Sequence, residues 1–185
     1  MKITIGVIGK NEQHKSDHVD KATMAAAEQV GRLVAQAGAV LVTGGRKGVM
    51  EAASKGAREA GGLTIGFLPG MERSGANPYV DVVFPTGLGR ARNLLTARAC
   101  DALVMIGGSC GTLNELTIAY AEARPVVILE GSGGWADRIR GALEEGRYLD
   151  ERHTVEISVA RTPDEAVAIA LRRAREITSS RPDQP

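Results

Sequence analysis

The chain has 185 residues, enough for one domain with a sizeable core and cramped for two. Its 23 Lys plus Arg balance 22 Asp plus Glu for a formal charge of +1, so there is no electrostatic case for nucleic acid or an anionic membrane. Aromatic residues at 3% argue against a base-stacking platform, and no apolar run nears the ~18–20 residues of a membrane span.

The N-terminal MKITIGVIGK carries one Lys before a short apolar run that ends in glycine, which fits a first strand over Lys2–Ile8 better than a cleavable signal. Further apolar runs predict strands at Val40–Thr43, Leu63–Leu68, Val80–Phe84, Ala102–Ile106, Val126–Leu129 and Val155–Val159. Most are followed by a glycine turn and a helical segment, the signature of βαβ units around a parallel sheet. Between the first two strands, Ala22, Ala26, Val30, Leu33, Val34 and Ala37 predict one apolar helix face. Pro163–Ile177 predicts a last helix, with Thr162 as its N-cap and proline at its first position. The expected architecture is a single-domain α/β fold, Rossmann-like and doubly wound, with a mostly parallel sheet of about seven strands over residues 1–178 and a polar tail over 179–185. No linker or internal repeat interrupts it.

The two cysteines, Cys100 and Cys110, match no zinc spacing and are expected to be reduced thiols. The histidines, His14, His18 and His153, are too few for a histidine-rich metal site, and His14 and His18 are expected in solvent. Cytoplasm is the expected compartment.

All strand C-termini of a parallel sheet share one edge, where ligands bind. The glycines fall there: Gly9, TGGRKGVM at 43–50, GGSCGT at 107–112 and EGSGGW at 130–135. Glycine lets backbone N–H groups approach an anion, and a following helix N-terminus adds partial positive charge. Tight turns alone would also use these glycines. Neither G-x-G-x-x-G nor G-x-x-x-x-G-K-[ST] is present, so NAD binding and ATP hydrolysis are not signalled.

The stretches TGGRKGVMEAASKGA (43–57), GLTIGFLP (62–69), ARN (91–93) and IGGSCGTLNELTIAYAEARPVV (106–127) resemble the lonely-guy (SLOG) superfamily of Rossmann-like nucleotide-binding proteins, once widely mislabelled lysine decarboxylases. The similarity runs from about Ile3 to Trp135 and is strongest to the branch that includes the molybdenum cofactor carrier proteins. The cytokinin-activating phosphoribohydrolases of the superfamily carry PGGxGTxxE with an Arg-Lys pair upstream. Here Gly107 stands at the proline, Ser109 at the second glycine and Asn93 at the lysine, while Arg92, Thr112 and Glu115 match.

The resemblance implies two functions. One is a carrier of a phosphorylated pterin such as molybdenum cofactor. The other is a phosphoribohydrolase that cleaves the N-glycosidic bond of a nucleoside monophosphate with Arg92 and Glu115, without a required cofactor. The implied phosphate-binding set is Gly9, Gly44, Gly45, Arg46, Gly48, Asn93, Gly107, Gly108, Ser109, Gly111 and Thr112, with no metal. A homodimer or homotetramer is implied as well. Lysine decarboxylation is rejected, because no Schiff-base lysine or pyridinium partner can be picked out.

From the residues alone, Thr112-Leu113-Asn114-Glu115 is also a capping box, in which the carboxylate would serve only the helix start. Arg92 competes with Arg90 and Arg98, and its plain reading is a surface arginine. Asp101 reads as a turn residue and Cys110 as a small turn residue; Trp135 either covers the pocket or is a buried helix-start aromatic. No histidine neighbours Ser109 or Cys110 in sequence, so neither is read as a nucleophile.

Overall fold

The computed structural model describes residues 1–12 and 18–180; His14 therefore lies outside the described residues. Seven strands, β1 (Thr4–Gly9), β2 (Val40–Thr43), β3 (Thr64–Leu68), β4 (Val82–Pro85), β5 (Ala102–Ile106), β6 (Val126–Leu129) and β7 (Ile157–Ala160), form one sheet in the order β4-β3-β2-β1-β5-β6-β7. Every pairing is parallel, so the expectation of a mostly parallel sheet is met in full. The four residues of β2, five of β5 and four of β6 are all buried, as continuous apolar runs in the middle of a two-sided parallel sheet must be.

Helices α1 (Lys21–Gln36), α2 (Val49–Glu59) and α6 (Pro163–Ser180) share one core cluster on the sheet; α3 (Arg92–Arg98), α4 (Cys110–Ala121) and α5 (Gly134–Arg138) belong to a second. The buried stripe of α1 is Thr23, Ala27, Val30, Gly31 and Val34, while Ala22 and Ala37 are exposed. The face is rotated from the expected one because α2 packs closely there. A Cβ on Gly31 would overlap the carbonyl oxygen of Ala53, and one on Gly56 that of Glu28. The last helix runs through Ser180, so the tail expected from residue 179 starts no earlier than 181, outside the described residues.

At the N-terminal edge, the Asp101 carboxylate accepts from the backbone N–H (2.9 Å) and the hydroxyl (3.0 Å) of Thr4 and ties β5 to β1. Asp81 does the same for Thr64, tying β4 to β3. Asp101 lies in the bend just before β5, in line with its reading as a turn residue, and also clamps the two strands.

Candidate functional site at the C-terminal edge

The strand order reverses between β1 and β5, which opens a crevice at the C-terminal ends of those strands. Gly9 ends β1 opposite Ile106; a Cβ there would overlap the Val49 side chain, so only glycine lets α2 start this close to β1. The β2–α2 turn is held by several bonds. Thr43 Oγ1 accepts from the Gly45 N–H (3.0 Å), the Lys10 carbonyl from the Val49 N–H (3.1 Å), and the Gly45 carbonyl from the Asn77 N–H (2.8 Å). The Asn77 amide also donates to the Arg46 carbonyl at 2.9 Å.

The β5–α4 turn is fixed on its far side by the β6–α5 loop. Gly107 N–H donates to Ser132 Oγ at 2.7 Å, while the Gly107 and Gly108 carbonyls accept from Ala136 and Trp135 N–H at 3.0 Å each. Asp137 in turn accepts from the N–H groups of Gly131 (2.7 Å) and Gly133 (2.9 Å). Gly108 has φ of 108°, and a Cβ there would stand 2.6 Å from the Thr112 side chain, a conformation and a clearance that favour glycine.

Between these loops lies a cleft of about 400 Å³. Its walls are residues 107–110, residues 132–135 and Arg138 on one side, and Lys10, His18, Asp20, Thr23 and Val49 on the other. The N-terminus of α4 enters it. Ser109, the N-cap, makes no side-chain capping bond. By contrast, α1 is capped: Asp20 accepts from the Thr23 N–H and hydroxyl, bonds that hold its carboxyl below the usual range. Lys10 and Arg138 bring positive charge to the cleft, and half-buried Trp135 contributes to its wall while packing on the second core cluster. Trp135 thus stands at the start of α5 on the cleft wall, half-buried rather than buried.

The expected pair of glycine turns does flank β1 on one edge, yet Val49 alone represents the 43–50 turn in the cleft wall. Arg46 is half-buried and borders hollows made with residues 68–75 and 74–78 instead. His18 is 80% exposed at the cleft, as expected of a solvated histidine, and Cys110 is an exposed thiol on its wall.

Arg92 and Glu115 meet, but beside this cleft. Arg92 Nη1 donates to Glu115 Oε1 at 3.2 Å and to Thr96 Oγ1 at 3.1 Å, and the two side chains are only 10% and 9% exposed. Neither residue lines the cleft. The capping-box reading is overturned: α4 starts at Cys110, so Thr112 is its third residue and Glu115 lies a turn and a half in, on the flank that faces α3. The surface reading of Arg92 is overturned by the same burial. Gly44 passes over the pair, since a Cβ there would come within 2.6 Å of Arg92 Nη1. Burial pushes the Glu115 carboxyl up to about 7, against the attraction of Arg92. It also lowers the Arg92 guanidinium, with the Arg46 charge acting in the same direction. Asn93 ties α3 to α4 by donating to Asn114 Oδ1 at 2.9 Å.

Among the described residues, no cluster of His, Cys, Asp and Glu is arranged to hold a metal, and no helix is long and apolar enough to cross a membrane. Sequence reading missed Lys10, Asp20, Asn77, Ser132 and Asp137. Lys10 directly follows Gly9 and Ser132 sits inside the fourth glycine turn, so position at the glycine edge was the usable signal; Asn77 and Asp137 act through contacts that no local pattern carries.

These features define a Rossmann-like α/β protein with a cleft at the switch point of its sheet. The chain belongs to the SLOG cluster4 family, which it matches over residues 2–167. It is similar to the molybdenum cofactor binding protein of the phototrophic bacterium Rippkaea orientalis: 32% identity, 93% of this chain and 97% of that one covered, TM-score 0.78. The molybdenum cofactor carrier protein of Chlamydomonas reinhardtii is similar as well, at 34% identity over 94% and 99% of the two chains and a TM-score of 0.77. A cytokinin riboside 5'-monophosphate phosphoribohydrolase of Mycobacterium tuberculosis is 30% identical over 132 residues, 65% of this chain and 71% of that protein.

Proposed function

We propose that the protein binds a small phosphorylated heterocycle in the β1/β5/β6 cleft and carries it, with a phosphorylated pterin of the molybdenum cofactor type as the favoured cargo. The observation that carries this reading is the division of labour around α4. Its N-terminus opens into the cleft without a side-chain cap, whereas the one candidate catalytic carboxylate, Glu115, does not line the cleft and is engaged by Arg92. The free N–H groups of the first turn, with Lys10 and Arg138, suit the phosphate of such a ligand, and Trp135 offers an apolar wall to a ring system. Binding and release ask for no acid or base. The likeness to two molybdenum-cofactor-binding proteins over nearly the whole of each chain supports the same choice.

Native mass spectrometry of freshly purified protein tests it. A bound mass that falls away on denaturation and contains a pterin supports the carrier; protein isolated from a cofactor-replete host without any such mass counts against it.

A phosphoribohydrolase is the second reading. The feature in its favour is Glu115 itself, a buried carboxyl near 7 held by an arginine, which is the protonation range of a group that exchanges a proton at neutral pH. AMP hydrolysis by the wild type that disappears in Glu115→Gln would establish it.

A further inference from the structure

We infer that Asp20 sets which ring the cleft accepts: a heterocycle that presents a ring N–H beside an amino group, the aminopyrimidinone edge that pterins share with guanine, and not adenine. This rests on the reading of the cleft as the site of a phosphorylated heterocycle, and it narrows that reading. The wall that offers an anion the uncapped start of α4, Lys10 and Arg138 also holds a carboxylate. Asp20 directly precedes α1 and is exposed. Its carboxylate is fixed in place by Thr23, whose N–H donates to Oδ1 at 2.9 Å and whose hydroxyl donates to Oδ2 at 2.7 Å. The same hydroxyl lies 3.4 Å from the Ser132 carbonyl, so the carboxylate stands beside the loop that leads into Trp135, the apolar wall offered to a ring. The Thr23 hydroxyl and N–H hold the carboxyl below its usual range, and it is ionised at neutral pH.

Capping alone does not call for that charge, since Ser, Thr and Asn cap a helix too. Beside a phosphate the carboxylate is a like charge and weakens binding. A cleft for phosphate alone is therefore better served by one of the neutral caps. A ligand with phosphate at one end and N–H donors at the other turns the cost into a gain. An ionised carboxyl offers about four acceptor positions, and Thr23 takes one on each oxygen, so both oxygens can still accept from a ligand. Two adjacent donors on one ring edge match that pair as a guanidinium does. Adenine sets an amino donor beside a ring nitrogen that only accepts, and this acceptor would face the carboxylate without a proton between them. Hypoxanthine has the ring N–H and lacks the amino group.

Isothermal titration of the full chain with inorganic phosphate and with the monophosphates of guanosine, inosine, adenosine and neopterin tests this. Wild type is expected to bind the guanosine and neopterin compounds about tenfold or more tighter than adenosine monophosphate, with the inosine compound between them. The tighter of the first two names the ring. Asp20→Asn keeps a helix cap and removes the charge. It is expected to lose the preference and to bind inorganic phosphate more tightly; Asp20→Ser gives the same reading if the Asn variant fails to fold. Wild type that binds phosphate yet takes adenosine monophosphate as well as the others, or a folded variant that keeps the preference, would overturn the assignment of Asp20 and leave the anion site standing. Wild type that binds none of the probes would overturn both.

Discussion

Replacing Glu115 by Gln keeps the volume and one hydrogen-bond acceptor toward Arg92 while removing the titration, so its effect should depend on pH. In the folded chain the carboxyl stands at about 7 against an ordinary 4.5, a displacement that corresponds to about 3 kcal/mol. Folded protein holds a proton that the unfolded chain has already released between those values. The contribution of Glu115 to stability is therefore full below pH 4.5, declines as the pH rises, and is flat above 7. Gln follows no such course. The stability of wild type relative to the variant should fall by about 3 kcal/mol across that window, roughly 6–12 °C of melting temperature for a chain of this size. Urea unfolding of both proteins at a series of pH values measures it. Subtraction cancels other titrating groups, including Asp20, whose lowered carboxyl acts in the opposite sense. A difference that stays constant with pH, or that grows in favour of wild type, would mean that the attraction of Arg92 outweighs burial, and the reasoning would fail.

Gly31→Ala should destabilise the protein by about 1–3 kcal/mol despite a better helix propensity, because the new methyl meets the Ala53 carbonyl and α1 must move off α2; denaturant unfolding checks this, and an unchanged midpoint would deny the close contact. Lys10→Ala should weaken binding of inorganic phosphate by about tenfold, the worth of one charge-assisted bond, while Arg46→Ala, whose side chain borders other hollows, should weaken it less. Calorimetry separates the two, and a larger loss from Arg46 would move the anion site toward β2. A thiol reagent should modify exposed Cys110 quickly in the native protein and Cys100 only in denaturant, since Cys100 is buried and its thiol is pushed far up by that burial; two thiols reacting at once under native conditions would contradict the packing of Cys100.

The central strands were legible in the sequence because burial on both faces leaves nothing but apolar residues. The ranges of β2, β5 and β6 agree with their expected ones at both ends. At the sheet edges the same signal misleads. Val80 and Val155 are apolar but lie outside the ladder, so β4 and β7 start two residues later than the pattern suggested. The start of α4 was misread for a different reason: Gly111 in its first turn looks like loop chemistry, although glycine costs a helix only about 1 kcal/mol. The bond by which the Asn93 amide joins α3 to α4 was not legible, because it is a long-range contact with no local signature.

That joint explains why one short motif points in two directions. Residues 107–115 run from a strand end through a positive-φ turn into a helix, so neighbours in sequence are carried to different surfaces. Gly107, Gly108 and Ser109 remain at the sheet edge, where their backbone faces the cleft. Six residues after Ser109, the helix has turned Glu115 onto its flank, under Gly44 and against Arg92. A ligand in the cleft and a proton on Glu115 are thus linked through α4, which α3 holds by the Asn93–Asn114 bond and the β6–α5 loop holds through the Gly107 and Gly108 carbonyls. For hydrolysis, a substrate would have to reach past that turn to the carboxylate, or α4 would have to shift. A cargo that is only bound and released needs neither, and the first turn of α4 can remain where the loop holds it.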